Sequence, residues 1–111
     1  MKTALILMMA LTLPINNHHK IKTMEVKSFD LHLVKGQEVV IFTTPSNYNS
    51  NLDCKLEEDG SEVSVDGNSE QAGCMIFHTA LKDEDLSLSV ENNSEVNTEF
   101  NLRIEITRAN K

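Results

Sequence analysis

Between Leu52 and Glu57 apolar and charged residues strictly alternate, and the apolar set, Leu52, Cys54 and Leu56, contains one of only two cysteines in the chain. A period of two puts successive side chains on opposite faces of a strand, so one face here is dry, the other is wet, and Cys54 points inward. Asp59-Gly60 supplies the positive-φ position of a tight turn, Val63 and Val65 resume the alternation, and Asp66-Gly67-Asn68 gives a second turn signal. After a polar loop, Cys74-Met75-Ile76-Phe77 opens a further strand. A Cys54–Cys74 disulfide is therefore expected to tie two neighbouring strands. Closing a loop of about 20 residues is worth roughly 3 kcal/mol in the chain-entropy model, a large share of a small domain's stability.

The rest of the chain repeats the same period. Met24 and Val26 share one parity while Phe29, Leu31 and Leu33 share the other, which predicts a bulge or break at Lys27-Ser28. Lys35-Gly36-Gln37 reads as a turn. The β-branched run Val39-Val40-Ile41-Phe42-Thr43-Thr44 is the pattern of a strand covered on both faces, and so of the most buried one. Pro45 to Asn51 is a polar loop holding Tyr48, the single tyrosine. Leu86, Leu88 and Val90 alternate with serines. Phe100, Leu102, Ile104 and Ile106 face in, with Asn101, Arg103, Glu105 and Thr107 facing out. No stretch has a convincing helical period. Six to eight short strands make an all-β fold, a small antiparallel β-sandwich of jelly-roll-like form with one disulfide, because a single open sheet would leave its apolar face wet.

A chain of 111 residues has room for one domain. Residues 1–15, with Lys2 ahead of a short apolar run, match a secretory signal peptide, and the run is too short for a transmembrane helix. The mature start is expected between Leu13 and Lys20. Residues 16–23, polar and without periodicity, read as a flexible leader, 24–108 as the sandwich and 109–111 as a C-terminal tail. Cysteines on strand faces fit an exported protein better than a cytosolic one. The net charge of −7 argues against nucleic acid or an anionic membrane as partner.

In strand order and turn residues, Phe29-Asp30-Leu31-His32-Leu33, Lys35-Gly36-Gln37-Glu38-Val39-Val40, Leu52 to Gly60, Leu86 to Asn93 and Phe100-Asn101-Leu102 together resemble small jelly-roll modules. The bacterial pre-peptidase C-terminal domain has this succession of strands and turns; the GOLD domain shares much of it, and Pro45 to Cys54 is similar to part of the CUB domain. Asp83-Glu84-Asp85 stands where the first family has Gly-Thr-Tyr, and the cysteine pair lies outside that family's pattern. The resemblance implies an accessory binding module without catalysis.

Chemistry-bearing motifs are sparse. His18 and His19 fall in the leader, His32 on a wet face, and His78 shares parity with Cys74 and Ile76; these do not supply the four converging ligands of a zinc site. The acidic groups Glu57-Glu58-Asp59 and Asp83-Glu84-Asp85 lack the alternation of a calcium loop, and no Gly-x-Ser-x-Gly elbow is present. No cofactor is expected. Asn92-Asn93-Ser94 is a formal glycosylation acceptor, expected in an exposed loop. Met75 and Phe77 oppose the inward Cys74; their strand is expected to be covered on both faces, and an open outer face would make them a partner-binding patch. The reading is a secreted, monomeric, non-catalytic module that binds an extracellular protein. Two alternatives are an inhibitor or effector presenting the loop Pro45–Asn51 or Asn68–Gly73, and a glycan binder, for which Tyr48 offers the stacking ring.

Overall fold

The computed structural model describes residues 15–46, 50–65 and 73–108. Eight strands follow in order: β1 (Ile15–Ile21), β2 (Val26–Leu33), β3 (Gln37–Pro45), β4 (Leu52–Glu58), β5 (Ser61–Val65), β6 (Cys74–Thr79), β7 (Glu84–Asn92) and β8 (Thr98–Arg108). They form two four-stranded sheets, ordered β1-β8-β3-β6 (sheet A) and β2-β7-β4-β5 (sheet B), and every pairing is antiparallel. First pairs with eighth, second with seventh, third with sixth and fourth with fifth. That nesting is the jelly roll, and no helix occurs among the described residues.

The alternation explains the core. Leu52, Cys54 and Leu56 of β4, Leu86, Leu88 and Val90 of β7, Val39 and Ile41 of β3, Ile76 of β6, and Phe100, Leu102 and Ile104 of β8 are all buried between the sheets. At the β4–β5 hairpin Asp59 (φ 53°) and Gly60 (φ 82°) both take positive φ, with Glu58 opposite Ser61. This is the two-residue turn whose twist suits a hairpin. At the β2–β3 turn the Gln37 N–H donates to the Val34 carbonyl at 3.0 Å, and Gly36 sits at φ 90°, where a side chain would be strained.

The Cys54–Cys74 disulfide is present, with Cα atoms 6.1 Å apart. It differs from the expectation in one respect: β4 lies in sheet B and β6 in sheet A, so the bridge joins the two layers. Both sulfurs are buried. Thr43 of β3 supports it from sheet A, its hydroxyl accepting from the Cys74 N–H at 2.9 Å.

Four further expectations change. Residues 15–21 are a strand and not a flexible leader: seven residues of β1 pair along β8, from Ile15 opposite Ile104 to Ile21 opposite Thr98. The sandwich therefore starts ahead of residue 24. β2 runs unbroken through Lys27-Ser28; Val26 lies on the outer face and is half exposed, Lys27 takes the inner row, and parity never changes. β3 is covered fully on one face only, since Val40 and Phe42 are half-buried beside the buried Val39, Ile41 and Thr43. Asn92, expected in an exposed loop, ends β7 with no exposed surface. The proposed signal peptide (1–14 of its residues), Tyr48, the Asp66-Gly67-Asn68 turn, most of the Asn68–Gly73 loop and the tail 109–111 lie outside the described residues.

Candidate functional site

Three surfaces of the sandwich carry side chains not needed for its core. The first is the outer face of sheet A. Register places Val40 of β3 between Glu105 of β8 and Phe77 of β6, and Phe42 between Arg103 and Met75. Two cross-strand rows thus set four apolar side chains side by side on β3 and β6. Phe77 is 59% exposed and Met75 50%, so the outer face of β6 is open, against the expectation of cover on both sides. The reason is architectural: a jelly roll has two layers, and the outer side of each sheet meets solvent unless a loop crosses it. Arg103 and Glu105 border the rows and pair with each other, Nε to Oε2, at 2.5 Å.

The second surface is the outer face of sheet B, and it is acidic. Asp30, Ser87, Glu57 and Glu62 are aligned across β2, β7, β4 and β5. A shallow cavity of about 550 Å³ lies there, lined by Asp30, His32, Glu57, Asp59 and Asp85 among others. His32 is on this wet face, as its parity indicates, and its Nδ1 meets the Asp85 carboxylate at 2.6 Å. Among the described residues no group of three or more His, Cys, Asp or Glu side chains is placed to hold a metal ion. His78 instead turns inward and pairs with the buried Glu84 at 2.9 Å.

The third surface is the mouth of the sandwich between β1 and β2, the edge strands of the two sheets. A cavity of about 370 Å³ opens there, lined by Lys20, Ile21, Lys22, Glu25, Lys27, Asn97, Thr98 and Glu99. Next to it stand two histidines that respond oppositely to their surroundings. His18 points outward with Nδ1 2.9 Å from the Asn101 side-chain oxygen Oδ1 and Nε2 2.7 Å from Glu99 Oε1. Acceptors on both nitrogens favour the doubly protonated ring, and the Asn101 bond followed by the Glu99 bond raises its pKa. His19 faces inward, its ring 4.9 Å from that of Phe29 and 5.5 Å from that of Phe100. Its Nε2 is buried without a hydrogen-bond partner, and desolvation, followed by the Lys27 charge, lowers its pKa. Glu25 is held below the ordinary carboxylate range, first by the Lys22 N–H that donates to it at 2.7 Å.

The glycosylation candidate has a different role. The Asn92 amide Nδ2 donates to the carbonyls of Ile21 (3.3 Å) and Val96 (2.9 Å), and its Oδ1 accepts from the Ser94 N–H at 2.9 Å. A buried amide with its nitrogen engaged twice has no room for a sugar in this fold. The sequence signal missed this because Asn-x-Ser describes an acceptor's chemistry and says nothing of its burial.

Of the sequence-derived site residues, the structure brings Met75 and Phe77 together on one exposed face, joins Cys54 to Cys74, and removes Asn92 to the interior. The lysine-lined mouth has no local sequence signal, since its residues come together from β1, which the periodicity missed, the turn after it, the start of β2 and the β7–β8 connection. Among the described residues no helix is long and apolar enough to cross a membrane. No protein-family model matches the chain, and no curated protein matches it.

Proposed function

We propose that this protein is a secreted, non-catalytic binding module that engages an extracellular protein through the outer face of sheet A. The observation that carries the reading is Phe77, a large aromatic side chain more than half exposed on a regular strand, with half-buried Val40 opposite it and Phe42 one row away. Holding such a ring in water forgoes roughly 2 kcal/mol of burial, and interface energy is concentrated in central aromatic anchors with a polar rim. Phe77 stands on the edge strand of the sheet, and Arg103 and Glu105 two strands away supply charge on the inner border of the apolar rows. The buried disulfide is compatible with export.

The test is capture from extracellular fluid with wild-type protein and Phe77→Asp, after mass spectrometry of the cysteine pair. Val26→Asp, which alters an exposed apolar residue on sheet B, is the control. A protein held by wild type and Val26→Asp but lost in Phe77→Asp, with thermal unfolding unchanged, is the expected result. Equal capture by all three would remove sheet A from the reading, and free thiols in the isolated protein would remove export.

A further inference from the structure

We propose that the mouth between β1 and β2 is a binding site for an oxyanion of the sulfo- or phospho-ester type, held by Lys20, Lys22 and Lys27. The site is independent of the sheet A face.

The chain is acidic, with seventeen Asp and Glu against ten Lys and Arg, yet three of those ten cations line one cavity of about 370 Å³. Two carboxylates share it, and each already has a partner. Glu99 accepts from His18 at 2.7 Å; Glu25 accepts from the Lys22 backbone N–H at 2.7 Å and meets Lys27 Nζ at 3.4 Å. Neither Lys20 nor Lys22 forms a salt bridge among the described residues. The lining thus carries three ammonium groups against two carboxylates, and a net positive cavity on an acidic chain attracts an anion. A point charge with three donors is also what a tetrahedral oxyanion can use from several directions.

The mouth is also rigid. The turn that carries Lys22 is closed by the Glu25 N–H donating to the Lys22 carbonyl at 3.0 Å, and Met24 is held there at φ 67°. It is pinned from the β7–β8 connection: the Thr23 N–H donates to Asn97 Oδ1 at 2.9 Å, the Thr23 hydroxyl to the Ser94 carbonyl, and the Met24 N–H to the Asn92 carbonyl at 2.7 Å. Asn97 spends its carbonyl on Thr23, which leaves its amide N–H₂ as a neutral donor in the lining. A lysine on a pinned turn loses less freedom on binding than one on a mobile loop. Because recognition here is ionic, it needs no aromatic ring for stacking.

The test is a titration of the folded ¹⁵N-labelled chain followed by backbone amide shifts, with three probes: inorganic sulfate, inorganic phosphate, and a heparin-derived oligosaccharide. Shifts centred on Lys20, Lys22, Lys27 and Asn97 are expected. Their appearance with all three probes assigns recognition to the oxyanion itself; with the oligosaccharide alone, to a sulfated glycan. The double variant Lys20→Gln/Lys22→Gln should weaken binding about tenfold or more, while Lys55→Gln and Phe77→Asp should bind as wild type. No shifts with any probe, shifts spread over all surface lysines, or equal binding by the double variant would overturn the proposal. An intact site in Phe77→Asp separates its fate from that of the sheet A reading.

Discussion

Asn92 and Ser94 are joined by a bond from the Ser94 N–H to the Asn92 side-chain oxygen, 2.9 Å, where β7 ends and the connection to β8 begins. Both residues are buried. Through them this junction holds two other segments: the Asn92 amide donates to Ile21, and the Ser94 hydroxyl accepts from the Asn51 N–H at 2.7 Å. Asn92→Ala leaves the Ile21 and Val96 carbonyls and the Ser94 N–H without their partner, so about 1–3 kcal/mol of stability should be lost. Urea denaturation measures that loss, and intact-mass analysis of protein from a glycosylating host should show Asn92 unmodified.

The disulfide ties sheet to sheet across a sequence separation of 20. Replacing both cysteines, Cys54→Ala/Cys74→Ala, should lower stability by roughly 3 kcal/mol, and somewhat more for the space left by two buried sulfurs. The midpoint of chemical unfolding should fall and its slope should rise, since the unfolded chain freed of the cross-link exposes more surface.

Gly73, just before Cys74, is fixed by space. A Cβ there would lie 2.0 Å from the Thr43 carbonyl oxygen and 3.0 Å from Pro45 Cδ. The first of these is backbone and cannot swing away. Gly73→Ala should therefore cost about 1–3 kcal/mol and lower the melting temperature. Gly36→Ala is the contrast: nothing lies within 4 Å of its Cβ position, and its cost is the positive φ alone, about 1 kcal/mol.

His18 and His19 should give opposing pH dependences. Folding lowers the pKa of His19 from its ordinary 6.5, so as pH falls through that value the unfolded chain takes the proton first and stability is lost. Folding raises the pKa of His18, so its contribution is fully present below 6.5 and disappears as pH rises through the raised value. In wild type the two partly cancel. His19→Leu should leave a protein whose stability grows as pH falls from neutral toward 6.5, whereas His18→Gln should leave one that weakens as pH falls through 6.5. Denaturant unfolding at several pH values in that window reads the sign directly; parallel curves for the two variants would contradict it.

Much of the sandwich was legible because the alternation of β4, β7 and β8 is carried by aliphatic and aromatic residues on the buried side, and Asp59-Gly60 named its own turn. β1 was not legible. Its inner positions include Asn17 and His19, and only Ile21 of its described side chains is fully buried. Its place depends on backbone bonds to β8, and those bonds are made by every sequence alike. Met24 and Val26 misled for the converse reason, being apolar yet exposed. The candidate surfaces divide likewise: the parity of Met75 and Phe77 placed them opposite Cys74, while the lysine mouth joins β1, the start of β2 and the β7–β8 connection, and such a meeting leaves no local trace.

The two outer faces differ in charge. Sheet B presents Asp30, Glu57 and Glu62 in one row, whereas the central rows of sheet A present apolar side chains beside an internally compensated Arg103–Glu105 pair. The two faces therefore meet charge differently. Among the described residues, a negatively charged boundary meets the carboxylate row of sheet B with repulsion, whereas the apolar rows around Phe77 offer it no such row.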